Sequence, residues 1–230
     1  MVGQGSKVID YQSSQTTATV VKHMDVSRPH GAISHPLDSA VLRVLVGTTQ
    51  ALTGRQVARL AGEGSQQGIG KALNRLVGEG VVHREEAGSS SLYTLNRDHL
   101  ATPAIELLVD LRGELLDRLR QAFQGWRIKP VHASMFGSAA RGDGDASSDI
   151  DLFIVRPSSI DAEDDTWQSQ IDGLADSVWR WTGNHAGIIE LPGDDLGKLR
   201  RRRPSVLREL DADAVALAGV DIAKILKGES

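Results

Sequence analysis

The chain has 230 residues, 40% of them hydrophobic and 24% charged, which is the composition of ordinary globular domains and enough chain for two of them at about 100–150 residues each. No apolar run approaches the roughly 20 residues a bilayer-spanning helix needs, and the polar stretch from Met1 to Gln15 has no charged segment followed by an apolar one, so a membrane span and a secretory signal are both unexpected and the cytoplasm is the expected compartment. There is no cysteine, which excludes disulfides, thiolate zinc sites and cysteine nucleophiles and leaves oxygen or imidazole as donors to any metal. The net charge of −4 and isoelectric point near 6.0 argue against coating nucleic acid by bulk electrostatics and leave local patches open.

Residues 1–36 are rich in Ser, Thr, Gln and Gly and read as an N-terminal arm, with a β-branched patch at Thr16–Val21 that fits one strand. His30 and His35 sit there among prolines, without the helical spacing of a zinc pair. From Leu37 the pattern turns helical, with Leu37, Val41, Val44 and Leu45 at three- and four-residue steps. Thr53 caps a second helix with Val57, Leu60 and Ala61 on its apolar face, and a third starts near Ser65 and carries Ile69, Leu73 and Leu76 to Gly78 and Gly80. Val81-Val82, a turn-rich tip and Leu92–Leu95 predict a hairpin.

Three short helices followed by a hairpin resemble a winged helix-turn-helix domain over residues 37–98. The resemblance implies that the helix from Ser65 to Glu79 is a recognition helix, with Ser65, Gln66, Gln67, Lys71, Arg75 and, on the hairpin, Arg84 as DNA-contacting residues. From Leu37 to Asp98 the segment carries seven Lys or Arg against six Asp or Glu, so it is barely basic and a docking or dimerisation role stays open.

Thr102-Pro103 predicts a helix start, and Ile105, Leu108, Leu111, Leu115, Leu119 and Phe123 form one apolar face, so residues 99–127 are expected to form a single long linker helix. The remainder, 128–230, alternates strands and helices: strands at 131–136, 149–155 and 185–191, a helix at 167–181, and another opened by Pro204 after the basic run Arg200–Arg203. The fold class expected is a two-domain α+β or α/β protein.

The chemistry concentrates in Phe136-Gly137-Ser138-Ala139-Ala140-Arg141-Gly142-Asp143 and Ser148-Asp149-Ile150-Asp151-Leu152. Strand side chains alternate, so Asp149 and Asp151 share a face about 6–7 Å apart while Ile150 and Leu152 enter the core. Two such carboxylates repel unless a cation lies between them. Glycine after a strand lets the backbone approach a phosphate, and Ser138 with the following amides can hydrogen-bond its oxygens. The sequence Gly68-Ile69-Gly70-Lys71-Ala72 lacks the first glycine and final hydroxyl of a Walker A loop, and no nucleophile elbow or dinucleotide fingerprint occurs.

These residues closely resemble the polymerase-β-like nucleotidyltransferase superfamily: an apolar residue, Gly-Ser, a spacer of ten residues, 139–148, then Asp-apolar-Asp-apolar. The Ala140-Arg141-Gly142 insert further resembles its small minimal members, and strand–helix alternation to Leu191 extends the likeness to about residues 128–192. The resemblance implies a mixed sheet flanked by helices, Asp149 and Asp151 as ligands of Mg²⁺ or Mn²⁺, and a third carboxylate on a neighbouring strand, for which Glu190 is the expected residue. It also implies that Gly137, Ser138, Arg141 and Ser148 bind the NTP. The expected activity is transfer of a nucleoside monophosphate from an NTP to RNA, a protein hydroxyl or a small molecule. The other reading is a DNA-binding regulator whose nucleotidyltransferase fold senses a nucleotide without turning it over. A homodimer and a separate all-helical toxin or antitoxin partner are further partners that the resemblance allows.

Overall fold

The computed structural model describes residues 7–10, 36–141, 148–197, 205–222 and 224. The β-branched patch at Thr16–Val21, most of the N-terminal arm, the basic run Arg200–Arg203 and the Gly142–Ser147 part of the motif spacer lie outside the described residues. The chain divides into two compact units, Arg28–Arg112 and Met1–Ser27 together with Gly113–Ser230. No helix among the described residues is long and apolar enough to cross a membrane.

In the unit of residues 28–112, helix α1 (Pro36–Val46) is followed by a two-residue strand β2 (Leu52–Thr53), β1 being the strand Lys7–Asp10 of the other unit. Helices α2 (Gly54–Ala61) and α3 (Gln66–Gly78) come next, then the hairpin β3 (Val82–Ala87) and β4 (Ser90–Leu95). Thr53 and Gln56 form a reciprocal cap on α2: the Thr53 N–H donates to Gln56 Oε1 at 2.8 Å and the Gln56 N–H to Thr53 Oγ1 at 3.3 Å, which satisfies two of the amides that a helix start leaves unpaired. Ser65 caps α3 by accepting from the Gly68 N–H at 3.1 Å. The apolar steps read from the sequence converge on one core of Val41, Leu45, Val57, Ile69, Leu73 and Leu76, with Tyr93 and Leu95 from the hairpin. Strand β2 adds a third strand to give the order β2-β4-β3.

The single long linker helix does not form. It divides into α4 (Thr102–Val109) and α5 (Leu111–Gly125), with Asp110 between them at φ −100°, ψ 22°. Of the six apolar positions at helical spacing, Ile105 packs against the core of residues 28–112, whereas Leu115, Leu119 and Phe123 are buried in that of the other unit. A continuous periodicity therefore conceals a change of partner. Helix α4 also begins one residue earlier than its Thr-Pro start implies, with Ala101 at the N-cap, and the Thr102 hydroxyl donates to the Asn96 carbonyl at 2.7 Å instead of capping.

The larger unit is a five-stranded mixed sheet in the order β1-β7-β6-β5-β8. Its strands are β1, β5 (His132–Met135), β6 (Ile150–Arg156), β7 (Ala186–Pro192) and β8 (Val215–Gly219). Strand β6 runs parallel to β7 and antiparallel to β5. Helix α6 (Gly137–Arg141) leaves the end of β5, α7 (Asp165–Thr182) joins β6 to β7, and α8 (Ser205–Asp213) precedes β8. Alternation along β6 separates two cores. Ile150, Leu152 and Ile154 pack with Leu119, Phe123, Trp167 and Ile171 of α5 and α7. Phe153 and Val155 pack on the opposite face with Phe136, Leu191 and Leu210, the last from α8. The molecule is thus a mixed α+β protein, as a nucleotidyltransferase fold would be.

Candidate active site

Asp151 lies on the β6 face that α8 covers, because it alternates with Ile150 and Leu152, both fully buried on the other side. Asp149 precedes the strand, is exposed, and by the same alternation shares that face. The approach to Asp149 is fixed from the segment just before β7: the Asn184 side-chain amide donates to the Ser148 carbonyl at 3.0 Å, and the Ile150 N–H donates to the His185 carbonyl at 2.9 Å.

Two glycines make room for the Asp151 carboxylate. Gly137 has φ +70°, a left-handed conformation, and a Cβ built on it would lie 2.6 Å from Asp151 Oδ2. Gly187, the register partner of Asp151 on β7, would bring a Cβ to 2.8 Å from Oδ1. Real Cβ atoms do not approach oxygen that closely, so a side chain at either position would displace the Asp151 carboxylate, and Gly137 also serves its positive-φ backbone. The half-buried Ser138 follows in the first turn of α6. At the far end of α6, Arg141 Nη1 donates to Asp213 Oδ2 of α8 at 2.9 Å.

Burial pushes the Asp151 carboxyl up to about 6, with the charge of Asp149 adding to the effect, then that of Glu209, and Arg141 opposing it. A divalent cation beside the carboxylates would restore the ionised form. The donors, two carboxylates on one strand face, are hard oxygens suited to Mg²⁺ or Mn²⁺. Among the described residues no three His, Cys, Asp or Glu side chains converge as ligands to one ion.

Glu190 does not complete a three-acid site. It is the register partner of Ile154 and lies on the α7 side of the sheet, away from Asp149 and Asp151. There it is buried and accepts from Arg156 Nε at 2.7 Å, each side chain 9% exposed. Glu190 does lie on the strand beside β6, but the register turns it to the other face: the β7 positions that look toward the pair are Gly187 and Ile189.

The residues expected to contact DNA do not present a common cationic surface. Arg75 pairs with Asp38 of α1, its Nε 3.0 Å from Oδ2. Arg84 pairs with Glu86 at 2.5 Å and donates to Ser91 Oγ at 3.1 Å. Ser65 is occupied as the α3 cap. Gln66, Gln67 and Lys71 are exposed, and Gln66 lines an open cavity of about 410 Å³ with Thr53, Gly54, Arg55, Ser90, Ser91 and Tyr93.

Three site features escaped the reading from sequence. Gly187 carried a signal, since a glycine inside a strand often marks a close approach. Asn184 and Glu209 carried none, because their relation to the Asp pair arises only when β7 and α8 are set beside β6.

Residues 113–202 match the family model of the nucleotidyltransferase domain. That segment begins just after α5 starts and takes in β5, α6, β6, α7 and β7, so it contains Gly137, Asp149, Asp151 and Gly187. The match supports a transferase of the nucleotidyltransferase superfamily. No curated protein and no solved structure matches the chain.

Proposed function

We propose that the chain is a Mg²⁺- or Mn²⁺-dependent nucleotidyltransferase that moves a nucleoside monophosphate from an NTP to a hydroxyl of RNA, protein or a small molecule and releases pyrophosphate. The observation that carries this reading is the setting of Asp151, held between the bare Cα atoms of Gly137 and Gly187 on the face it shares with Asp149. Packing alone gives no reason to hold an acid there with its carboxyl pushed up to about 6. An NTP brings about four negative charges and meets such carboxylates only through cations.

Asp149 and Asp151 would hold the metal, which when bound neutralises triphosphate charge and lowers the pKa of the acceptor hydroxyl. The glycine turn at Gly137 lets the backbone approach the phosphates, the Ser138 hydroxyl donates to a phosphate oxygen, and Arg141 balances charge that develops on the triphosphate. Ser148 sets the entry into Asp149 through its carbonyl bond to Asn184. Residues 37–98 are read as a winged helix-turn-helix, supported by the order helix, strand, two helices and hairpin. Lys71, Gln66 and Gln67 would lead its DNA contacts.

The full chain should transfer label from an α-³²P-NTP in the presence of Mg²⁺ when offered bulk RNA, a soluble protein extract or a panel of hydroxyl-bearing small molecules. Asp149→Ala and Asp151→Ala should each abolish transfer. The second reading, a nucleotide-sensing DNA-binding regulator, is favoured by one observation: neither Gly187 nor Ile189 supplies a third acid to the pair. Wild-type protein that binds Mg²⁺–NTP but releases no pyrophosphate with any of these acceptors would establish that reading instead.

A further inference from the structure

The cavity of about 410 Å³ in the unit of residues 28–112 is walled by the starts of two helices and by one strand of the hairpin. Thr53, Gly54 and Arg55 bring the first turn of α2, Gln66 the first residue of α3, and Ser90, Ser91 and Tyr93 come from β4. The reciprocal cap of α2 occupies the Thr53 hydroxyl and the Gln56 amide. The Gly54 and Arg55 amides, first in the helix, have no carbonyl within it to bond and are left for an acceptor from outside.

Two side chains of the cavity lack a partner of the same kind. Arg55 is exposed and forms no ion pair with a described residue. Tyr93 is 8% exposed, yet its hydroxyl has no hydrogen-bond partner among the described residues, where a buried phenol usually finds one. Tyr93 Cε2 lies 3.6 Å from where a Gly54 Cβ would stand. The ring carbon bonded to Cε2 carries the hydroxyl, so this donor opens beside the start of α2. No carboxylate lines the cavity. Glu86, which Ser91 Oγ reaches at 3.2 Å, is balanced by Arg84 at 2.5 Å.

We propose that this cavity binds a small phosphate monoester, in a different unit of the chain from the Asp149–Asp151 pair and without a metal. The phosphate accepts from the Gly54 and Arg55 amides, the Arg55 guanidinium and the Tyr93 hydroxyl, a set of donors suited to an anion at a helix start. A cavity of this volume is of the size that holds an organic body as well, and Gln66 and Ser90 offer that body neutral hydrogen-bonding groups.

The test is a ¹H–¹⁵N titration of the full chain in EDTA, so that metal-dependent nucleotide binding is silent, with inorganic phosphate, ribose 5-phosphate and AMP in turn. The Gly54 and Arg55 amides should shift saturably with at least one monoester, and at lower concentration than with inorganic phosphate. Arg55→Gln should weaken binding about 10-fold or more and Tyr93→Phe about 5-fold or more, the scale of hydrogen bonds to a charged group. Arg59→Gln, one turn along α2 and outside the cavity, should bind within about 2-fold of wild type. Tyr93→Phe removes a hydroxyl that holds no protein group, so without ligand it should melt with the wild type. A lower melting temperature in Tyr93→Phe overturns the proposal by giving the hydroxyl a structural role. No saturable shift up to about 20 mM of either monoester, well past a Kd of about 1 mM, overturns it too. So do unchanged affinity in Tyr93→Phe, equal losses in Arg55→Gln and Arg59→Gln, or a monoester that binds no better than inorganic phosphate. A short DNA duplex that moves these amides where no monoester does makes the feature a contact to the DNA backbone and likewise overturns the proposal.

Discussion

Asp151→Asn should stabilise the metal-free protein while abolishing transfer. Burial, then the charge of Asp149, raises the Asp151 carboxyl from an ordinary 3.8 to about 6 in the folded chain. The folded state therefore favours the protonated acid. The stability this acid contributes is fully present below about pH 4 and is lost as pH rises through about 6, where the fold must carry an ionised carboxylate that unfolded chain carries at no cost. A shift of about two units corresponds to roughly 3 kcal/mol at 1.36 kcal/mol per unit. Asp151 is only half-buried, so solvent screening reduces this to about 1–2 kcal/mol. Asparagine keeps the shape and removes the charge. Thermal melts in EDTA should place the variant about 2–8 °C above wild type at pH 7.5, at about 2–4 °C per kcal/mol for a chain of this size, and the gap should close near pH 4. On the proposed metal-dependent reading, Mg²⁺ should then raise the wild type and not the variant, which lacks one of the two carboxylates. A variant that melts at or below the wild type in EDTA at pH 7.5 would refute the reasoning, because it would mean that the carboxylate is satisfied by protein groups and has no need of a cation.

Gly137→Ala should cost about 1–3 kcal/mol through its positive φ alone, and should also impair NTP binding because the new methyl group would lie 2.6 Å from Asp151 Oδ2; chemical denaturation with NTP titration separates the two effects. Glu190→Gln breaks a buried pair with Arg156 and should cost about 3–5 kcal/mol, yet at a temperature where the variant stays folded its Mg²⁺–NTP affinity should equal wild type, which a metal ligand would not allow. In DNA binding at low salt, read by fluorescence anisotropy, Lys71→Ala should weaken the complex more than Arg84→Ala, since Arg84 is already held by Glu86 and Ser91.

Much of this architecture was legible because local chemistry and tertiary packing agree. The Thr53 and Ser65 caps, the apolar steps of α1 and α3, and the alternation of Ile150 and Leu152 with Asp149 and Asp151 each state a local preference that the fold keeps, whereas in α2 Val57 and Ala61 are buried and Leu60, expected on the same face, is exposed. Where they disagreed, the sequence misled. The apolar stripe from Ile105 to Phe123 has one periodicity but two destinations, and nothing in the side chains marks Asp110 as the place where the helix ends.

The third acid failed for a different reason. Identifying β7 as the neighbour of β6 was sound, but the face on which Glu190 emerges depends on register, and a shift of one residue exchanges the two faces. The parallel register sets Gly187 beside Asp151 and Glu190 beside Ile154. Arg156 on the α7 face then gives Glu190 a partner that no spacing argument could name. The same register explains why β7 has a glycine where an acid was sought: with Gly137 and Gly187 closing on both oxygens of Asp151, a longer side chain at position 187 would occupy the space that the carboxylate needs.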